Sequence, residues 1–354
     1  MDRGSFQRHR AFLLGTFASV VLSVLFLLLL AWRVDLREAV RVIRTVDYRW
    51  AVPAMLLFSG SKFIHTYRWR VLLSRWENIP LDPLFAIYLM HNLTNAIVPF
   101  RAGDVVRVQV AGQRLSIPPA ELTATVFVVE TLLDGVAFLA LLLAGLVFLD
   151  VPAPSRSLFA FLAVTVPIGF LAAVLLARID VAQDFAARRP LRWLPARPRA
   201  AAARMVPRFL EGMVVLREPR LAVRAVLVTF PAWLTEGGVY WMLGSAFHLD
   251  LAFTDYVLVM VSANVVVSLP VAPLFDVGPY EVVVSEVLVA LGVDRAAAGG
   301  YAIGAHLLLL CWIGITGIAA TAWLRLTPRD LFGLRQPAIP DSGAISTPPG
   351  RHAQ

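Results

Sequence analysis

Apolar residues run along this chain in stretches long enough to cross a bilayer, separated by short, arginine-rich polar connections. Six stretches are uninterrupted, at about 11–31, 50–68, 120–149, 156–177, 221–247 and 296–325. Each is close to the 20 or so apolar residues that a helix needs to span a hydrocarbon core of roughly 30 Å. Two further stretches, about 84–117 and 254–292, are broken. The first break is Pro99-Phe100-Arg101-Ala102-Gly103-Asp104; the second is Pro270-Val271-Ala272-Pro273, followed by Gly278-Pro279. Proline removes a backbone donor and clashes with the preceding turn, whereas glycine permits left-handed backbone, so each stretch predicts two half-helices. Irregular backbone at membrane depth is tolerated only where protein or a water-filled cavity surrounds it, which makes each stretch a re-entrant hairpin. The predicted fold is an all-α polytopic membrane protein with about six transmembrane helices and two re-entrant half-helix hairpins.

The broken stretches resemble each other. The first reads Asn95, Pro99, Gly103, Asp104, Leu115-Ser116-Ile117 and an apolar helix from Ala120; the second reads Asn264, Pro270, Gly278, Glu281, Leu291-Gly292-Val293 and an apolar helix from Ala296. Three spans separate them, and an odd number turns the second copy upside down. Paired Gly/Pro-interrupted segments in corresponding halves point to the central site of a transporter built from inverted repeats. The halves run from about 50–177 and 221–325 within a transmembrane domain of residues 1–325. A basic cytoplasmic linker at 178–220 joins them, and a Pro/Ser/Gly-rich tail at 326–354 reads as disordered.

Composition sharpens this picture. Hydrophobic residues make up 58% of the 354 and charged residues 16%, too few to cover the surface of a soluble domain. The net charge of +8 is therefore assigned to topology and headgroup contact, not to nucleic acid. The segment 178–220 carries ten arginines against four acids, and the first ten residues three against one. The positive-inside rule then places both termini in the cytoplasm, in a cell membrane. The segment 33–49, with five arginines against three acids, falls on the other side and is read as an interfacial amphipathic helix. A single cysteine, Cys311, excludes an intramolecular disulfide.

Charges inside a bilayer cost roughly 2.5–3.5 kcal/mol each on insertion scales, which makes intramembrane polar residues functional candidates. At the first break these are Asn92, Asn95, Arg101, Gly103, Asp104 and Arg107; at the second, Asn264, Asp276, Gly278 and Glu281. Pro99, Pro270, Pro273 and Pro279 supply the helix breaks. Half-helix N-termini present free N–H groups to an anion, and an arginine such as Arg101 adds a two-pronged donor for phosphate. Asp104 serves either as a helix cap or as a partner of Arg107. Glu130 and Asp134, one helical turn apart, either pair with Arg101 or Arg107 or, with Asp104 and Glu281, relay protons. Arg68, Arg70 and Arg75 read as topology anchors, Lys62 and His65 as side chains reaching for headgroups, and the tryptophans as lipid-facing. His91, His248 and His306 share no metal-ligand spacing, and no phosphate loop or nucleophile motif occurs. Neither a metal nor a cofactor is expected.

The run His91-Asn92-Leu93 through Pro99-Phe100-Arg101-Ala102-Gly103-Asp104-Val105-Val106-Arg107, then Glu130-Thr131-Leu132-Leu133-Asp134, resembles the transmembrane domain of lysylphosphatidylglycerol synthases. That family's pattern, N-x-x-x-P-x-R-x-G-[ED]-x-x-R followed by an E-R-x-x-D helix, covers this chain from about 10 to 325. Arg68-Trp69-Arg70 and Gly278-Pro279-Tyr280-Glu281 fit as well. Thr131 stands where the family has arginine, and Phe275-Asp276 where it has Pro-Gly. Free-standing members are flippase-like, some associated with hopanoid or glycolipid pathways. With no aminoacyl-transferase domain in the sequence, the resemblance implies movement of a phospholipid, glycolipid or isoprenoid-linked lipid, with an anionic or sugar headgroup, between leaflets. A membrane enzyme acting on a lipid-linked substrate, or a non-catalytic partner recruiting a lipid-biosynthetic enzyme through 178–220, are the alternatives.

Overall fold

The computed structural model describes residues 44–76, 79–98, 101–148, 209–213, 218–268 and 274–326, with isolated positions at 25, 28, 41, 168 and 216. Among these residues every regular element is helical. In chain order they are α1 (Ala51–Leu72), α2 (Leu81–Ile97), α3 (Ala102–Leu115), α4 (Pro119–Thr123), a π-helical segment (Ala124–Glu130) and α5 (Thr131–Phe148). There follow α6 (Pro219–Ala246), α7 (Phe253–Val267), a 3₁₀ turn (Leu274–Asp276), α8 (Pro279–Ala290) and α9 (Arg295–Trp323). The spans read at 11–31 and 156–177, most of the 33–49 helix and the 178–220 linker, and nearly all of the tail lie outside the described residues, as do Pro99, Pro270 and Pro273.

Both broken stretches are two helices with an irregular join. α2 packs on α3 and α7 packs on α8, so each pair folds back on itself. Arg101 opens α3 in the left-handed region, at φ 52°. At the second break Phe275 and Asp276 are left-handed too, at φ 56° and 54°, and Gly278 sits at φ 104°, where a side chain is strained. Pro279 takes the first helical position of α8, where its missing N–H costs nothing.

Local chemistry marks the other ends. Asp294 caps α9 by accepting from the N–H groups of Ala296 (2.9 Å) and Ala297 (3.2 Å). Pro219 and Pro119 start α6 and α4 in the same manner as Pro279. The π-helical segment ends on Glu130, and widened turns of this kind are frequent at functional sites.

α1 and α6 form the most extensive helix pair, and they are antiparallel: Tyr67 meets Arg224, Arg68 meets Thr229, and Lys62 meets Glu236. α9 joins the two broken stretches by packing on both α2 and α8. The largest core cluster lies among α1, α6, α7, α8 and α9, with Tyr256, Val259, Met260, Tyr301 and Ala305 fully buried. A second cluster holds α2 against α3 and the end of α9. The Pro119–Leu141 and Arg295–Trp323 segments are long and apolar enough to cross a membrane, with mean hydropathies of 1.9 and 2.0. α1 and α6 have the length as well, but charged residues interrupt them, and of these Lys62, Arg68 and Glu236 line the cavity described next.

Candidate lipid-headgroup cavity

The two breaks converge. The 3₁₀ turn of the second packs on α2 of the first, and between them and α1, α5 and α6 lies a cavity of about 690 Å³. Its wall carries an unusual density of charge for a helical interior, most of it arranged in pairs, with Asp276 of the 3₁₀ turn beside them.

Arg107 is buried on α3 and holds Glu130 through two parallel hydrogen bonds, Nη1 to Oε2 at 2.8 Å and Nη2 to Oε1 at 2.9 Å. Its guanidinium also lies 3.7 Å from the Trp69 ring centre and 4.8 Å from that of Tyr88. Arg68 grips Asp134 in the same two-pronged way, and its Nη2 lies 3.9 Å from Glu130. Asp134 additionally accepts from Trp233 Nε1 at 2.8 Å. Lys62 Nζ donates to Glu236 at 2.7 Å; Ser61 and Asn264 also donate to that carboxylate. Arg101 Nε donates to Asp104 at 2.9 Å, and His91 Nε2 lies 3.2 Å from the same carboxylate. Four cations therefore meet four carboxylates, each with a matched partner, as buried charges require.

The acids that open α3 and α8 occupy the same helical position, the third residue. Asp104 carries the contacts above, whereas Glu281 accepts from the Gly278 N–H at 2.6 Å and from His306 Nδ1 at 2.6 Å. His306 lies against Tyr280, ring centres 4.1 Å apart, and both line the cavity.

A family model covers the whole of this constellation. The model described as the lysylphosphatidylglycerol synthase TM region matches residues 16–317. The chain belongs to that family. It is accordingly a membrane-embedded protein of lipid modification or translocation. No curated protein and no solved structure matches the chain.

In this member of the lysylphosphatidylglycerol synthase TM-region family, most of the candidate residues face the cavity. Asn92, Asn95, Arg101, Asp104, Arg107, Glu130, Asp134 and Asn264 all line the cavity. Three candidates do not: Glu281 lies behind His306, Gly278 lies at the start of α8, and Gly103 lies in the α2–α3 contact. A Cβ on Gly103 would collide with the His91 carbonyl and with Asn95, so this glycine is required for close helix approach.

Several expectations are corrected. Asp104 pairs with Arg101 and His91, not with Arg107. Asp134 takes Arg68, not Arg101 or Arg107. Arg68 is not a topology anchor: its side chain is 1% exposed, because α1 continues to Leu72 and places it inside. Lys62 and His65 face the cavity and not a membrane surface, and Trp69 and Trp233 are buried among the ion pairs rather than in a lipid-facing belt. Glu236 was missed altogether; a single acid in the middle of an apolar 28-residue helix was the available signal. Among the described residues no cluster of His, Cys, Asp or Glu has the makings of a metal site.

Proposed function

We propose that this protein moves lipid between leaflets, the headgroup passing through the cavity while the acyl chains stay in the bilayer. The observation that carries the reading is the convergence of both broken stretches on one large, charge-lined cavity. Charge in such a position is expensive and is kept where a polar solute must pass. Arg101 is the cation best placed to meet a headgroup phosphate. Its side chain is 35% exposed, its Nε is engaged with Asp104, and among the described residues its Nη atoms are available as a planar donor pair. Asn92 and Asn95 line the same cavity. Arg107, Glu130, Arg68 and Asp134 hold the wall, and Asp104, Glu130, Asp134 and Glu281 balance charge or relay protons.

An inverted repeat accounts for the architecture. A shift of 176 residues carries Ala51–Leu72 onto 227–248, over most of α6, and Ala102–Leu115 onto 278–291, over α8. It also carries Glu130 onto His306. Equivalent helices related by inversion must run in opposite directions, and α1 and α6 are antiparallel. In this reading the two broken stretches are re-entrant hairpins entering from opposite sides, with six spans in total, both termini and the 178–220 linker cytoplasmic, and the cytoplasmic membrane as the site of action. The activity is transport, without chemical change to the lipid.

Photo-crosslinking tests the route. A benzophenone amino acid at Asn92, in the wall, should capture phospholipid headgroup fragments during turnover, and one at Ile315, exposed on α9, should capture acyl chains. Acyl fragments alone at both positions would refute a headgroup path through the cavity.

A further inference from the structure

His65 is the outlier of the cavity. It lies on α1, is 1% exposed, lines the cavity, and neither ring nitrogen has a hydrogen-bond partner among the described residues. A buried ring with two idle nitrogens is uncommon, because each forgoes the hydrogen bond it would make to water. The nearest acid, Glu236, has an oxygen 3.9 Å from Nε2, beyond hydrogen-bonding range. The ring is fixed by its neighbours: Trp233 meets it edge-on at 4.7 Å between ring centres, and Tyr88 is parallel to it at 6.1 Å.

The surrounding charge defines what can dock here. Lys62 is tied to Glu236 at 2.7 Å, and Arg68 to Asp134. A phosphate that reached Lys62 would also meet the Glu236 carboxylate, and an ammonium that reached Glu236 would meet Lys62. A group that donates and accepts hydrogen bonds without net charge meets no such penalty. A neutral imidazole offers one donor and one acceptor, and among the described residues Glu236 Oε1 has only the Asn264 amide at 3.4 Å. Trp233 contributes an apolar ring to the same wall.

We propose that His65, with Lys62, Glu236 and Trp233, forms a subsite for the hydroxyl groups of a polyol or sugar in the lipid headgroup, distinct from the phosphate position at Arg101. The inference rests on the headgroup reading of the cavity and adds to it the chemistry of the part beyond the phosphate.

The test is binding of short-chain lipids to the full-length protein in detergent. Dihexanoyl phosphatidylglycerol carries a phosphate and free hydroxyls, a monoglucosyl diacylglycerol carries hydroxyls alone, and dihexanoyl phosphatidylcholine carries a phosphate without headgroup hydroxyls. His65→Phe keeps an aromatic ring and removes the nitrogens. It should weaken the first two roughly tenfold, the factor equivalent to about 1.4 kcal/mol, and leave phosphatidylcholine unchanged. His65→Gln, which restores a donor and an acceptor, should recover most of the loss. Phosphatidylglycerol binding that survives His65→Phe, or equal weakening of all three lipids, overturns the subsite alone. Failure of the wild-type protein to bind any of the three overturns the headgroup reading and the subsite together. A second readout needs no altered fold: the imidazole nitrogen resonances of His65 in the wild-type protein should shift with phosphatidylglycerol and not with phosphatidylcholine. Unshifted resonances with phosphatidylglycerol bound also overturn the subsite.

Discussion

Glu130→Gln is the sharpest test of how the cavity wall is held. Glu130 receives both Nη groups of Arg107, at 2.8 and 2.9 Å, with side chains 2% and 8% exposed. Removing one member of a buried pair leaves the other charged and uncompensated, at a cost of about 3–5 kcal/mol. Glutamine keeps one acceptor for Arg107. The guanidinium also retains its contacts with the Trp69 and Tyr88 rings, of the kind worth about 2 kcal/mol when desolvated. Arg68 keeps Asp134 throughout. The expected loss therefore lies near the lower bound, about 3 kcal/mol. Arg107→Met should cost a similar amount, and the two together should cost less than their sum by at least about 1.5 kcal/mol, since contacting partners couple on this scale. Unfolding by SDS in mixed micelles, measured for the wild type, both single variants and the double variant, closes the cycle. Additive losses within about 0.5 kcal/mol would refute the claim that this pair holds α3 to the π-helical segment.

Other consequences follow from the same geometry. Gly103→Ala should destabilise by about 2 kcal/mol or more, as overpacking does, because the new methyl meets backbone of α2; thermal melting in detergent checks it, and an unchanged midpoint would contradict the close α2–α3 approach. Trp233→Phe removes the donor to Asp134 at 2.8 Å and should cost about 1.5–3 kcal/mol, the range for a hydrogen bond to a charged group, read by the same SDS titration. Cys311, exposed on α9, should react with a membrane-soluble maleimide in vesicles and resist a charged, impermeant one from either side. Fast labelling by the charged reagent would place that face of α9 in water.

Much of the helical frame was legible in the chain. The spans read at 221–247 and 296–325 correspond to Pro219–Ala246 and Arg295–Trp323, and the breaks fall where Gly and Pro interrupt apolar runs. These features are local: apolar length and backbone chemistry are written in consecutive residues. The partners in the cavity were not legible, because Arg107 and Glu130 are 23 residues apart, Arg68 and Asp134 66, and Lys62 and Glu236 174. Arg68 was misread for a subtler reason. Ending the second span at 68 places an arginine at a membrane surface, whereas a helix that continues to Leu72 places it inside, opposite Asp134. The Gly/Pro breaks announce that each stretch turns back, but not which side chains then face each other, so the Asp104–His91 and Glu281–His306 contacts had no signal in residue spacing.

The central claim is transport, and transbilayer movement of fluorescent lipids in liposomes holding the purified protein tests it most directly. Several headgroups, with Arg101→Ala and Glu281→Gln alongside the wild type, make the comparison. The account predicts movement that depends on the protein, differs among headgroups, and is lost or loses its headgroup preference in Arg101→Ala. No movement of any lipid by folded protein, or movement indifferent to both substitutions, would contradict it.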